Sequence, residues 1–318
     1  MVTRRRHGLL AEGHVTRVGV VGLGYWGSKV LEEYAALRAD GAVSHVVACD
    51  ADPDRLAEGA AADERYESVD ETLDRVDGVH LCTPIGTHKT IGRQTLQRGV
   101  DLLAEKPFTN DRDAAFELMQ LALQEDRILQ TGHIFRFANV IDQLRELYQT
   151  GQLGELQTVT LRWTHDVETP PGTNVLWDLA PHPIDIMNYV TGGWPSDECC
   201  RTRTLPEADG PVAATAQFQL GDTDVTMQLS WDDRVRRRDI EIAGTKASAV
   251  VEAVEQTIEL YDDDGQRTLS VETNNTIRSE ASHFVKAIQT RRNVANSAVV
   301  GVRTIESIER LINAANHP

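Results

Sequence analysis

Apolar positions follow two rhythms along the chain. In the first, short β-branched runs alternate with stretches of helical spacing. Residues 17–21, Arg-Val-Gly-Val-Val, form a run followed by glycine, as a buried parallel strand does. Residues 26–38 then carry apolar side chains at 30, 31, 34 and 37, the spacing of one helix face. The alternation continues with strands over 43–49, 78–82, 100–104 and 128–131 and helices over 54–62, 87–98 and 111–125. Gly99 is a natural stop for the helix before it. Such alternation predicts a parallel, doubly wound sheet, the α/β Rossmann arrangement.

The rhythm changes after Gly132. A helix over 139–150 and a turn over 151–154 lead into an alternating strand over 156–165, and helical spacing returns over 184–190. Strand candidates then follow at 212–220, 224–231, 239–243, 249–253, 257–261 and 267–271, separated by turn residues such as Gly221-Asp222 and Asp264-Gly265. The pattern predicts an α+β domain with an open, mainly antiparallel sheet. Helices over 277–291 and 299–315 close the chain. The expected divisions are a Rossmann domain over 15–132, an α+β domain over 133–297, and a last helix over 298–318 that packs back on the first domain.

A length of 318 residues gives both domains a core of their own. Residues are 41% hydrophobic and 25% charged, and no apolar run approaches the ~20 residues of a membrane span. The net charge of −17 argues against general nucleic-acid binding, which needs a cationic surface. Lysine stands only at positions 29, 89, 106, 246 and 286, the remaining cations being arginine. That bias suits a high-salt cytoplasm or a GC-rich genome, and it makes each lysine easier to weigh. Cys49, Cys82, Cys199 and Cys200 form no CxxC pair and read as reduced thiols, with no metal site. Residues 1–14 carry three arginines, but Glu12 and His14 interrupt the apolar part, so a frayed leader is expected rather than an export signal. The chain reads as cytoplasmic.

The candidate chemistry begins at Gly22-Leu23-Gly24-Tyr25-Trp26-Gly27. A lone GxGxxG is weak evidence, since glycines gather in loops for conformational reasons. This one follows a buried strand, opens a helix and begins a βαβ unit. Gly22 permits the tight turn, Gly24 lets a pyrophosphate approach the backbone, and Gly27 lets the helix pack close. Amides at the helix start then face the phosphates. Asp50 ends the next strand, about 20 residues on, where a carboxylate accepts ribose hydroxyls and repels a 2′-phosphate. Arg55, the nearest downstream cation, follows Asp52-Pro53-Asp54. The cofactor expected is therefore NAD rather than NADP; a plain surface acid at a strand end is the alternative.

Glu105-Lys106-Pro107 follows the fourth strand, where an open sheet gathers its ligands. A lysine there can stabilise a developing alkoxide, although a solvated surface lysine is the commoner occurrence. In Trp177-Asp178-Leu179-Ala180-Pro181-His182, Asp178 and His182 share one face if the turn is helical. Alone, they read equally well as a helix-start aspartate and an incidental histidine.

Together these segments resemble the Gfo/Idh/MocA oxidoreductase family in order and spacing. The glycine turn, Cys82-Thr83-Pro84 with His88, Glu105-Lys106-Pro107, Gly132-His133-Ile134-Phe135-Arg136-Phe137, and Asp178 with His182 carry the likeness across roughly residues 16–312. It implies an enzyme, an NAD-dependent dehydrogenase or reductase acting on CH–OH groups. Gly22, Gly24, Tyr25, Trp26, Gly27, Asp50, Thr83, Pro84, His88, Glu105, Lys106 and Pro107 would border the cofactor. Lys106, Asp178 and His182 would be catalytic: His182 takes the hydroxyl proton, Asp178 orients it or shares the proton, and Lys106 anchors the reacting oxygen. Those three and Arg136 would touch substrate.

The Tyr-Trp pair and the Trp-Asp-Leu-Ala-Pro-His string are most similar to members acting at C3 of nucleotide-linked hexoses, with a diphosphate pocket sought among Arg136, Arg162 and the cations at 234–238. Pro183, where relatives often carry an acid, and Phe137-Ala138-Asn139 depart from the pattern and bear on substrate identity. A dehydrogenase of free sugars or of cyclitols such as inositol is the enzymatic alternative. A catalytically silent NAD-binding regulator is another, though it would have no reason to keep Lys106, Asp178 and His182. The resemblance also implies a homodimer or homotetramer formed through the open sheet face, and no metal.

Overall fold

The computed structural model describes residues 16–168, 172–292 and 296–316; residues 1–14, read above as a frayed leader, lie outside them. Two compact units emerge, Met1–Gly132 with Asn275–Val302, and His133–Asn274 with Arg303–Pro318. No described helix is long and apolar enough to cross a membrane.

In the first unit the strands are β1 (Arg17–Val21), β2 (His45–Cys49), β3 (Glu64–Tyr66), β4 (Gly78–Leu81), β5 (Asp101–Glu105) and β6 (Leu129–Gly132). They form one parallel sheet in the order β3-β2-β1-β4-β5-β6, the doubly wound order whose chain reverses direction beside β1. The helices α1 (Tyr25–Ala39), α2 (Pro53–Glu58), α3 (Val69–Leu73), α4 (His88–Gln97) and α5 (Arg112–Gln124) make the connections. The sequence pattern missed β3 and α3. Glu-Arg-Tyr is a half-exposed edge strand of three residues, too short and too polar for periodicity to register.

In the second unit, α6 (Asn139–Gln149), α7 (Val175–Leu179) and α8 (Pro181–Thr191) pack against an eight-stranded sheet. Its strands are β7 (Leu156–Asp166), β8 (Ser196–Thr204), β9 (Pro211–Leu220), β10 (Thr223–Ser230), β11 (Asp232–Gly244), β12 (Ser248–Glu252), β13 (Thr257–Asp262) and β14 (Gly265–Thr268), in the order β14-β13-β12-β11-β7-β10-β9-β8. One buried face runs through Val159, Leu161 and Trp163 of β7, Val225 and Met227 of β10, and Ile240 and Ile242 of β11. The alternate positions are Thr158, Thr160 and Arg162, with Thr226, Gln228 and Glu241 beside them. This outward face is polar, so it is compatible with water. Two features depart from a simple meander. β10 pairs with β7 in parallel, and β8, which buries only Cys200, adds a polar edge that no alternation announced.

The C-terminal helices also differ from expectation. α9 (Thr276–Thr290) was expected in the second domain, yet its Ala281, Phe284, Val285, Ala287 and Ile288 share one core with Val30, Leu31, Tyr34 and Leu37 of α1. Gly78 makes room for it: a Cβ there would lie 2.5 Å from the Ile288 Cδ1. α10 (Ala298–Asn316) was expected to pack back on the first domain. From Arg303 onward it belongs to the second unit, where Arg310 donates to the Glu198 carboxylate and the Pro195 carbonyl.

Candidate active site

The glycine turn is shaped by contacts that leave no room for side chains. Gly22 has φ +93°, and a Cβ on it would meet the Cys82 backbone at 2.9 Å. A Cβ on Gly27 would lie 1.8 Å from the Gly22 carbonyl oxygen, so only glycine lets α1 start there. A Cβ on Gly24 would meet nothing nearer than Arg55, at 4.0 Å, which leaves that stretch of backbone open to a ligand. Gly24 caps α1 with no side-chain hydrogen bond, and the first turn carries no acidic residue. An anion can therefore meet the first amides of α1 without competition. Asp50, 9% exposed, holds the turn in place: Oδ2 accepts from the Leu23 amide at 2.6 Å and Oδ1 from the Asp52 amide at 2.9 Å. These features fit a dinucleotide.

Four further residues expected to border the cofactor have different surroundings. Tyr25 is 82% exposed, with the Lys29 ammonium 4.2 Å from its ring centre. Thr83 shares a 2.6 Å hydrogen bond with the Thr87 hydroxyl, beside exposed Pro84. His88, expected to border the cofactor, is 1% exposed, and its two ring nitrogens lie on the Thr83 and Phe108 carbonyls at 2.8 and 3.1 Å. It packs between these two loops, and as a neutral ring, with one N–H, it donates to one of the two carbonyls. Burial pushes its pKa down against the pull of those carbonyls, which favours a neutral ring.

Glu105 is buried at the end of β5, where its Oε1 accepts from the Trp26 indole N–H at 2.6 Å and faces His80 Nε2 at 3.1 Å. Its Oε2 accepts from the Lys106 backbone amide at 3.2 Å. Burial works to raise its pKa, but hydrogen bonds from His80 and Trp26 and the charges of His80 and Lys106 hold it below the ordinary value. Burial, reinforced by the negative charges of Glu105 and Glu280, pushes the Tyr34 hydroxyl and the Cys82 thiol well up, so both stay protonated. Lys106 is half-buried, and the Lys106–Pro107 peptide is cis.

In the second unit, α7 and α8 meet at Ala180, which keeps right-handed helical angles, so Asp178 and His182 stand one turn apart. Pro181 and Pro183 sit in the first turn of α8, where their missing amides cost nothing. The departure at Pro183 is thereby absorbed into the helix start. The Asp178 Oδ2 accepts from the Trp231 indole N–H at 3.0 Å, and the His182 ring meets Phe135 edge-on with centroids 5.1 Å apart. Arg238, buried behind them, donates to the Thr164 carbonyl, and its positive charge reaches Asp178. Burial and the neighbouring Arg236 push its pKa down to about 10, while Asp178 pulls the other way.

The cations offered for a diphosphate are largely committed. Arg136 is buried, with Nε on the Asp185 carboxylate at 2.7 Å and Nη2 on the Asn188 side chain at 2.8 Å. Its guanidinium braces the short 3₁₀ turn over 134–137 against α8. Arg162 pairs with Asp239 and Glu241 on the open sheet face. Sequence reasoning missed Trp231, His80 and the link from Trp26 to Glu105. They lie in the first turn of α1, on β4 and at the join of β10 and β11, where a tryptophan or histidine reads as ordinary core.

Comparison with known proteins agrees with this geometry. Residues 16–133 match the profile of the oxidoreductase family with NAD-binding Rossmann fold, and residues 141–250 match the GFO/IDH/MocA C-terminal domain. UDP-N-acetylglucosamine 3-dehydrogenase of Acidithiobacillus ferrooxidans is 29% identical over 305 residues, 91% of this chain and 94% of that protein. A solved structure of that enzyme superposes with a TM-score of 0.85 at 28% identity, covering 95% of this chain and 98% of that one. The inositol 2-dehydrogenase of Leifsonia xyli subsp. xyli is 30% identical over 183 residues, 55% of this chain and 53% of that protein. An inositol dehydrogenase homologue from Azotobacter vinelandii, solved with NADH and myo-inositol, shares the fold at TM-score 0.84 and 18% identity, over 96% of both chains.

Proposed function

Because the chain belongs to the Gfo/Idh/MocA family of NAD-binding oxidoreductases, we propose that it oxidises the C3 carbinol of a nucleotide-linked hexose, or reduces the corresponding 3-ketone. The observation that carries this reading is likeness in sequence along nearly the whole chain to UDP-N-acetylglucosamine 3-dehydrogenase, whereas the inositol 2-dehydrogenase of Leifsonia xyli aligns over 55% of it; the fold is shared by both kinds of enzyme.

Bound NAD supplies a hydride acceptor at nicotinamide C4. The chain's own residues do the rest. Gly22, Gly24 and Gly27 shape the phosphate turn and Asp50 takes the adenosine ribose. Lys106 holds the substrate oxygen and stabilises the alkoxide. With that acceptor bound, the carbinol C–H would give up its electron pair as hydride to it while the C=O bond forms, and His182 would receive the hydroxyl proton at a ring nitrogen. Asp178, itself held by Trp231, orients that ring. Reduction runs the same steps backwards. The protein works in the cytoplasm as a homodimer or homotetramer formed through the polar outward sheet face.

Incubation with NAD and a panel of UDP-N-acetylglucosamine, free hexoses and myo-inositol, read at 340 nm, tests the reading. NADH formation with the nucleotide sugar alone is expected; turnover of inositol but not of the nucleotide sugar would move the chain to the cyclitol enzymes. Light scattering showing a monomer at working concentration would remove the oligomer.

A further inference from the structure

The carboxylate of Glu105 is held by three groups. Trp26 reaches it from the glycine turn and His80 from β4, while its other oxygen takes the backbone amide of Lys106. Gly132, at the end of β6, leaves the space it fills, since a Cβ there would lie 2.7 Å from Oε2. Behind His80, the Tyr34 hydroxyl meets Nδ1 at 3.3 Å, with the rings edge to face. A hydroxyl proton given to Nδ1 leaves the N–H on Nε2, where it points at Glu105. The result is a chain from Tyr34 to His80 to Glu105, joined at the same carboxylate oxygen by Trp26. Every member of it is at least half-buried. Cys82, just after β4, and Glu280 of α9 are the other titratable groups whose charge or burial acts on it, and the Lys106 charge acts on Glu105.

The imidazole, thiol and carboxylate donors of His80, Cys82 and Glu105 lie within 4.8 Å of one another, a spacing a metal would accept. The hydrogen bonds decide against that use. The imidazole nitrogen and the carboxylate oxygen that a metal would need already face each other, and Trp26 donates into that same oxygen. A carboxylate so held is a mechanical anchor, and what it anchors is the backbone amide of Lys106.

We infer that His80 is a positioning residue: with Trp26 it clamps Glu105, and through Glu105 it fixes the backbone from which Lys106 extends, coupling the glycine turn to the lysine. The consequence for turnover rests on the function proposed above; the clamp itself does not.

The test is hydrogen–deuterium exchange at the Lys106 amide in the full chain, for wild type, His80→Leu, His80→Gln and Trp26→Phe, with turnover of UDP-N-acetylglucosamine measured on the same samples. Loss of one charge-assisted partner should speed exchange at Lys106 by about tenfold in His80→Leu and in Trp26→Phe. Residues 102–104 of β5 should be unchanged. His80→Gln, which keeps an N–H donor, should restore most of the protection. In an active enzyme, His80→Leu should lower kcat by about tenfold while KM for NAD stays within about twofold. An unchanged Lys106 amide, equal acceleration along all of β5, or an unaltered kcat in an active His80→Leu enzyme would overturn the proposal. If His80→Leu does not fold, Trp26→Phe decides alone, because Trp26 approaches from the half-buried turn. A wild type silent toward the nucleotide sugar refutes the substrate reading only, and the exchange rates still judge the clamp.

Discussion

The glycine turn and the Asp178–His182 helix junction hold their functional groups by different means. In the turn, backbone shape does the work: a Cβ on Gly22 or Gly27 would collide with main chain, and Asp50 accepts from the Leu23 amide of the turn and from the Asp52 amide beyond its own strand. At the junction, local sequence only sets the helical spacing. The orientation of Asp178 comes from Trp231, at the join of β10 and β11, and the His182 ring is backed by Phe135. The turn is thus specified by the fit of backbone against backbone and by backbone amides, whereas the junction depends on side chains packed in from other elements. Damage to the first should appear in cofactor affinity. Damage to the second should appear in turnover with the cofactor still bound.

The largest separation of the two effects is expected from His182→Ala and Lys106→Ala. Each should lower kcat by about 10²–10⁴-fold, the usual worth of a proton-transferring or charge-stabilising group. NADH affinity, read by fluorescence, should barely change in His182→Ala; a parallel loss of both would erase the contrast drawn here.

A smaller effect is expected from Trp231→Phe, which removes the indole N–H from Asp178 and keeps an aromatic body in the core. It should cost about tenfold in kcat, the scale of one hydrogen bond to a charged group. Unaltered kinetics would mean that Asp178 needs no external orientation.

Asp50→Ala probes the turn from the other side. It removes the ribose acceptor together with the carboxylate that holds the Leu23 and Asp52 amides. NAD should bind about tenfold more weakly, with preference shifting toward NADP. Equal KM values for both cofactors in variant and wild type would count against Asp50.

The smallest effect concerns pH. The folded pKa of His88 lies below the ordinary value, so the unfolded chain takes up the proton first. The stability it contributes is complete above about pH 6.5 and is lost as the pH falls through the lower folded value. The gap in Tm between wild type and His88→Gln should therefore narrow on acidification from about pH 8 to about pH 5.5. A constant gap would show that the ring ties its two loops equally well in either charge state.

Local pattern carried much of this fold. The strand–helix alternation of the first unit is legible because each buried strand is a short apolar run bounded by turn residues. β3 and β8 are not legible, because edge strands face water and need no apolar code. The placement of α9 escaped for another reason: its apolar face is plain in the sequence, but its partner α1 lies more than two hundred residues earlier. The site divides the same way. Gly22, Gly24, Gly27, Asp50 and the Lys106 segment stand out as motifs. The burial of Arg136 against Asp185, the tie made by His88, and the hold of Trp231 on Asp178 are long-range pairings that residue type alone does not reveal.

The central claim is that hydride leaves C3 of a nucleotide-linked sugar for NAD. UDP-N-acetylglucosamine deuterated at C3, incubated with the enzyme and NAD, tests it directly by mass spectrometry of the reduced cofactor. The account predicts NADH carrying one deuterium and a slower kcat/KM than with unlabelled sugar. Unlabelled NADH, or no reduction while another alcohol is oxidised, would contradict it.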